Sequence, residues 1–223
     1  MAKKISKNGN VYYTSNDSKG RSAFDPSSSE EFVDYYISDD EIRAKLDKRF
    51  SVLERVTHKC INGDISSLIV YGPAGVGKSF GVKAALDNAD CRYKFVSGYA
   101  TKIGLIKTLY SYRHNGDVVV FDDCDSVLFD ETSLSILKAI CDTTDVRNVS
   151  YISDKPIYPE DETGVIPSTF EFEGTVIFIT NTDFENVSKR LEPHTKAMMS
   201  RSVYIDLAMR TRRDYLVRIH QVI

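Results

Sequence analysis

Short apolar runs alternate with helical patterns along most of the chain. Ile42, Leu46, Phe50, Leu53 and Val56 recur at helical spacing behind the capping candidates Ser38 and Asp39, which predicts an amphipathic helix over 38–60. Five strand candidates follow: "SLIVY" (67–71), "CRYKFVS" (91–97), "DVVVF" (117–121), "TVIFIT" (175–180) and "SVYIDL" (202–207). Between them lie a helix from Ser79, then "TKIGLIKTLYSYR" (101–113), "ETSLSILKAICD" (131–142) and two short helical stretches before 202; "RTRRDYLVRIHQVI" (210–223) closes the chain. Runs that are apolar on both faces and separated by helices imply a parallel sheet covered on both sides, so the expected class is α/β.

Two segments break this alternation. Between the helix at 131–142 and the strand at 175, "NVSYIS" and "STFEFEG" flank an acidic, proline-containing stretch, "DKPIYPEDETG", and predict a β-hairpin with that stretch as its tip. The first 40 residues, with "SNDSKGRSAFDPSSSEE", read as a flexible, extended or partly disordered arm. Aromatics in "FVDYYIS" (32–38) end that arm. No internal repeat is present.

Composition narrows the function classes. With 223 residues and 42% hydrophobic content the chain can bury one substantial core. A net charge of -3 provides no global positive field for nucleic acid, so any such contact must be local. Cys60, Cys91, Cys124 and Cys141 are spaced for neither a zinc site nor a disulfide framework, as expected of reduced thiols in the cytoplasm. No apolar run approaches the roughly 20 residues of a membrane span, and the start "MAKKISKNGN" lacks the apolar segment of a secretory signal. The expectation is a soluble cytoplasmic protein with no membrane partner.

The chemistry lies in "GPAGVGKS", made of Gly72, Pro73, Ala74, Gly75, Val76, Gly77, Lys78 and Ser79, with Phe80 next. This matches G-x-x-x-x-G-K-[ST] in full, between a strand and a helix. Glycines permit the backbone to turn successive N–H groups inward around a β-phosphate. Lys78 then reaches the β and γ oxygens, Ser79 offers a hydroxyl to Mg²⁺, and the helix adds its positive end. Some forty residues on, "DVVVFDDCD" ends a strand in two carboxylates, a Walker B pattern. Asp122 is the expected Mg²⁺ ligand through the water shell and Asp123 the group that polarises attacking water, with Asp125 as fallback. The cofactor set expected is ATP with Mg²⁺.

At this point the chain resembles the AAA+ family of ATPases, whose members place an extra strand between the Walker A and Walker B strands; "CRYKFVS" fills that place. The resemblance implies a P-loop NTPase of three-layer α/β/α form, with five parallel strands in the order 5-1-4-3-2. The hairpin would be an insertion before the sensor 1 strand. The arm (1–40) would precede an ATPase core (41–207) and the start of a truncated or minimal helical lid (208–223). Asn181, directly after "TVIFIT", would be sensor 1, with Thr180 the alternative. Ser200, Arg201 and Ser202 look like the Ser-Arg-Cys element of clamp-loader ATPases. Arg201 would be an arginine finger acting on ATP of a neighbouring subunit, with Arg190 the runner-up. The last segment looks like the first helix of that lid, with Arg210, Arg212 and Arg213 available for the second sensor arginine that the lid contributes in this family. Tyr35, Tyr36 and Ile37 are candidates to cover the adenine.

The same resemblance implies a homo-oligomeric ring, a hexamer or pentamer, working on DNA or with a replication protein in the manner of a phage or plasmid accessory, and so in the host cytoplasm if viral. The alternative is a protein remodeller, with Tyr99 in the loop after the second strand as its pore aromatic. At the hairpin tip only Lys155 and Tyr158 offer phosphate contacts. The usual glutamate after the Walker B aspartate is replaced by Asp123, one methylene shorter, which implies slow hydrolysis.

Overall fold

The structure is a computed structural model that describes residues 2–5, 11–14, 38–144, 146–160, 163–184, 187–209 and 211–222. It divides into two units, residues 1–38 and 39–223. In the first, β1 (Ala2–Ile5) and β2 (Val11–Thr14) form an antiparallel ribbon. Tyr35, Tyr36 and Ile37 lie outside the described residues.

The second unit opens with α1 (Asp39–Ile61), whose first turn carries Asp39, Asp40 and Glu41, charges that suit the positive end of a helix. Then come β3 (Ser67–Tyr71), α2 (Lys78–Asn88), β4 (Tyr93–Ser97), α3 (Lys102–Ser111), β5 (Val118–Asp122) and α4 (Asp125–Leu128). These are followed by α5 (Glu131–Ile140), β6 (Asn148–Ser150), β7 (Thr169–Glu171), β8 (Thr175–Thr180), α6 (Glu192–Met199), β9 (Val203–Asp206) and α7 (Arg212–Val222). The short α4 was not expected from the sequence, because four residues are too few to show a period. Side-chain caps fix two starts: Thr101 Oγ1 accepts from Gly104 N–H at 3.0 Å, and Asp130 Oδ2 from Ser133 N–H at 2.8 Å.

Five strands form one parallel sheet in the order β4-β5-β8-β3-β9. Numbering β3, β4, β5, β8 and β9 as strands one to five gives 5-1-4-3-2, the order expected of a P-loop NTPase. Alternation divides the side chains between two cores. Ile69, Val119, Phe121, Val176 and Phe178 face α3, α4, α5 and α6, with the rings of Phe121 and Phe178 stacked at 5.7 Å. Leu68, Val70, Val118, Val120, Ile177 and Ile179 face α1 and α2. The edge strand β4 departs from the expectation of two buried faces: no residue in it is fully buried.

The expected hairpin is present as β6 paired with β7, anchored by buried Val149 opposite buried Phe170. Arg147 ties its base down, donating to the carbonyls of Ile140 and Gly174, each at 2.9 Å. The cysteines are free, and burial pushes the Cys60 thiol up to about 12 and those of Cys124 and Cys141 up to about 11. These three are protonated packing groups at neutral pH. No helix among the described residues is long and apolar enough to cross a membrane.

Two glycines test this packing in opposite directions. A Cβ on Gly174 would meet the Tyr112 carbonyl oxygen at 2.5 Å, whereas one on Gly81 would meet only Leu53 Cδ2 at 3.6 Å. Gly174→Ala should destabilise by about 1–3 kcal/mol, while Gly81→Ala in α2 should be neutral or stabilise by up to about 1 kcal/mol. Thermal melts of the two variants check this, and equal melting temperatures would contradict it.

Candidate functional site

All five strands point the same way, so their C-terminal ends share one edge, where ligands of open α/β sheets bind. The glycine-rich loop leaves β3 at that edge and turns into α2. Gly75 and Gly77 have φ of 78° and 95°, a region closed to most side chains. The N–H groups of residues 74–77 make no turn or loop hydrogen bond among the described residues. They and the first turn of α2 supply donors and a positive helix end suited to an anion.

Lys78 is only 6% exposed. Its ammonium donates to the carbonyls of Gly72 and Pro73, both at 2.8 Å, and to Asn181 Oδ1 at 2.7 Å. Burial pushes its pKa down, while Asp123 and Asp122 oppose that shift. Asn181 Nδ2 donates to Asp123 Oδ1 at 2.8 Å, so one amide bridges cation and carboxylate. Its orientation is set by chemistry, since an ammonium can only donate and a carboxylate can only accept.

Ser79 Oγ donates to Asp122 Oδ1 at 2.8 Å. Burial pushes the Asp122 carboxyl above its usual range, and the Ser79 hydrogen bond opposes it. A hydroxyl and a carboxylate side by side are hard oxygen donors of the kind that suit Mg²⁺. Asp123 has φ 49°, the left-handed region that aspartate tolerates better than most residues, and its N–H donates to the Ile179 carbonyl at 2.9 Å. β5 and β8 are neighbours in the sheet, which is why residues 58 positions apart meet.

The other candidates take different places. Thr180 is fully buried, its hydroxyl accepting from Thr182 N–H at 3.0 Å. Asp125 opens α4 with an exposed side chain. Phe80, 79% exposed, stands beside the loop on α2. Arg201 lies at the opposite end of the sheet: its carbonyl accepts from Ser67 Oγ at the start of β3, and its side chain reaches Ala197 O at 3.0 Å and Asp142 at 3.7 Å. At about 3.3 Å per residue, β3 separates Ser67 from Gly72 by roughly 16 Å. Arg190 pairs with Glu131 at 2.5 Å, and Tyr99 is 77% exposed after β4.

Among the lid arginines, Arg213 pairs with Asp39 at 2.6 Å, and Arg210 lies outside the described residues. Two other residues of α7 touch the loop instead. Tyr215 Oη donates to Ala74 O at 2.9 Å and Arg218 Nε to Val76 O at 3.0 Å, while the Arg218 guanidinium stacks 3.7 Å over the Phe50 ring. Their i, i+3 spacing puts them on one helix face, but nothing in the sequence says which element that face meets.

The contacts of α7 with the loop can be tested directly. Arg218→Ala removes one charge-assisted bond to the loop and should weaken binding of a fluorescent ATP analogue roughly tenfold, the equivalent of about 1.4 kcal/mol. Tyr215→Phe should weaken it less. Unchanged affinity in Arg218→Ala would show that the loop keeps its shape without α7.

No protein-family model matches the chain. It is 37% identical over 197 residues to an uncharacterized 36.7 kDa protein in the nrdC-mobD intergenic region of Enterobacteria phage T4, covering 82% of this chain. The chain spans 58% of that relative's length. Among solved structures it is similar to RuvB of Thermotoga maritima. One mutant form of RuvB aligns at 16% identity with a TM-score of 0.47, over 82% of this chain and 52% of that one. RuvB described as a Holliday junction branch migration motor aligns at 14% identity and 0.42, over 80% and 48%.

Proposed function

We propose that this chain is a Mg²⁺-dependent ATPase of the AAA+ family that assembles into a ring and couples ATP turnover to nucleic-acid processing. The observation that carries the reading is a pair of hydrogen-bonded sets at one sheet edge: Ser79 with Asp122, and Lys78 with Asn181, which in turn donates to Asp123.

In this reading the loop of residues 72–79 holds the phosphate tail through the amides of residues 74–79. Lys78 exchanges its carbonyl partners for β and γ oxygens, and Phe80 stands beside the nucleoside. Ser79 and Asp122 would hold Mg²⁺, which when bound neutralises charge growing on the phosphate oxygens. Asp123, kept in place by Asn181, orients water and takes up its proton. Because aspartate reaches less far than glutamate, turnover should be slow, at or below about 1 s⁻¹, the low end of ordinary enzymes.

Arg201 stands too far from its own loop to serve it, which supports a finger acting on a neighbour's ATP and hence a hexameric or pentameric ring. The inserted hairpin and the Ser200-Arg201-Ser202 element favour DNA or a replication protein as the partner. The exposed ring of Tyr99 favours a second reading, a remodeller that grips polypeptide.

Steady-state ATPase assays with single-stranded DNA, duplex DNA and an unfolded protein decide between the two, with Lys78→Ala as the blank. Stimulation by DNA is expected, and stimulation by polypeptide alone would reverse the ranking. Mixing Arg201→Ala with Asp123→Asn subunits should restore part of the activity if sites are shared between subunits. No recovery in assembled mixtures would remove Arg201 from the site.

A further inference from the structure

Two surfaces outside the nucleotide site carry opposite chemistry. The first is a cleft of about 450 Å³ between α1 and β9, lined by Lys45, Lys48, Arg49, Val52, Tyr204 and Ile205. Asp206 is its one carboxylate, and that side chain already accepts from Ala208 N–H at 2.6 Å. Arg49 donates to the Ala208 carbonyl, while Lys45 and Lys48 are exposed and make no ion pair among the described residues. β9 is also the sheet edge, so one side of its backbone lacks a strand partner among the described residues.

The second surface is the hairpin tip. Ile152 is 89% exposed, Tyr158 and Val165 are exposed beside it, and Asp154 and Glu160 are exposed carboxylates without an ion pair among the described residues. The sequence adds Asp161 and Glu162, against the single cation Lys155. Exposed apolar side chains in the same segment as carboxylates suit a basic protein surface with apolar ground, and the carboxylates are repelled by phosphate.

The two surfaces sit at opposite edges of the sheet. The tip lines a pocket together with Ile106 of α3, the helix that follows the edge strand β4, and the cleft flanks the other edge strand, β9. Five strands at about 4.8 Å spacing put roughly 19 Å between those edges. Complementary patches so placed can meet between copies, head to tail, and such contacts close into a ring when the rotation between copies closes.

We propose that the hairpin tip of one copy docks in the basic cleft beside β9 of the next, with Asp154 and Glu160 meeting Lys45 and Lys48, and Ile152 or Tyr158 lying over Val52 and Ile205. This rests on the ring reading above and names its surfaces. The hairpin is then an assembly element, and its acidic tip is explained by a protein partner of the same sequence.

The test is sedimentation velocity of the full chain with a slowly hydrolysed ATP analogue and Mg²⁺. It compares Lys45→Glu/Lys48→Glu, Asp154→Lys/Glu160→Lys and the chain carrying all four changes. Every altered side chain is exposed and outside the ion pairs of the described residues, so the fold should be kept, and circular dichroism checks this. Each reversed pair should weaken self-association at least about tenfold, and the fourfold variant should regain it, because the charges are again complementary. Oligomers that neither pair disturbs would overturn the proposal and leave the ring reading standing. A wild-type chain that stays monomeric at all concentrations would overturn the ring reading and this proposal with it. Binding of a fluorescent oligo-dT is measured in parallel: if Lys45→Glu/Lys48→Glu lowers it while self-association is untouched, the cleft is a nucleic-acid surface and the proposal falls.

Discussion

One buried ammonium organises the site. Lys78 leaves water to sit under its own loop, and it holds there because two loop carbonyls and the Asn181 amide accept its three protons. That arrangement closes the loop around the cation and draws Asn181 toward β3, and through Asn181 it fixes Asp123. A buried charge costs several kcal/mol unless it is paired or hydrogen-bonded, so the same bonds that shape the loop also keep the lysine charged. A phosphate tail offers stronger, charged acceptors at the same place. In the proposed reading, binding would be an exchange of partners, with the loop already shaped.

The parallel sheet explains why a single chain is an incomplete machine in this reading. Parallel strands collect the loop, the two carboxylates and Asn181 at their C-terminal ends, and they send Arg201 to the other end, held by Asp142 and Ala197. No rotation of one side chain spans a strand's length. If Arg201 acts on ATP at all, it acts on another copy's, and the chemistry becomes a property of the assembly.

The sheet is legible in the sequence because each central strand is buried on both faces and therefore apolar throughout, as in "DVVVF" and "TVIFIT". Edge strand β4 and the four-residue α4 are harder, since half-burial and shortness erase periodicity. The loop is legible because its glycines are demanded by backbone geometry. Asp122 and Asp123 are legible by their place at a strand end. Tyr215 and Arg218 are not: their contact depends on how α7 packs over the loop, a tertiary fact that leaves no local mark. The same holds for the cleft beside β9, whose lysines on α1 read as an ordinary solvated face until the edge strand is seen next to them.

Everything proposed for this chain requires that the loop and Lys78 grip a nucleotide tail, and isothermal titration of ATP into the purified chain with Mg²⁺ measures that grip. Saturable binding of one ATP per chain is expected, lost in Lys78→Ala with the fold intact. Absence of measurable affinity for either ATP or GTP in a folded wild-type chain would contradict it.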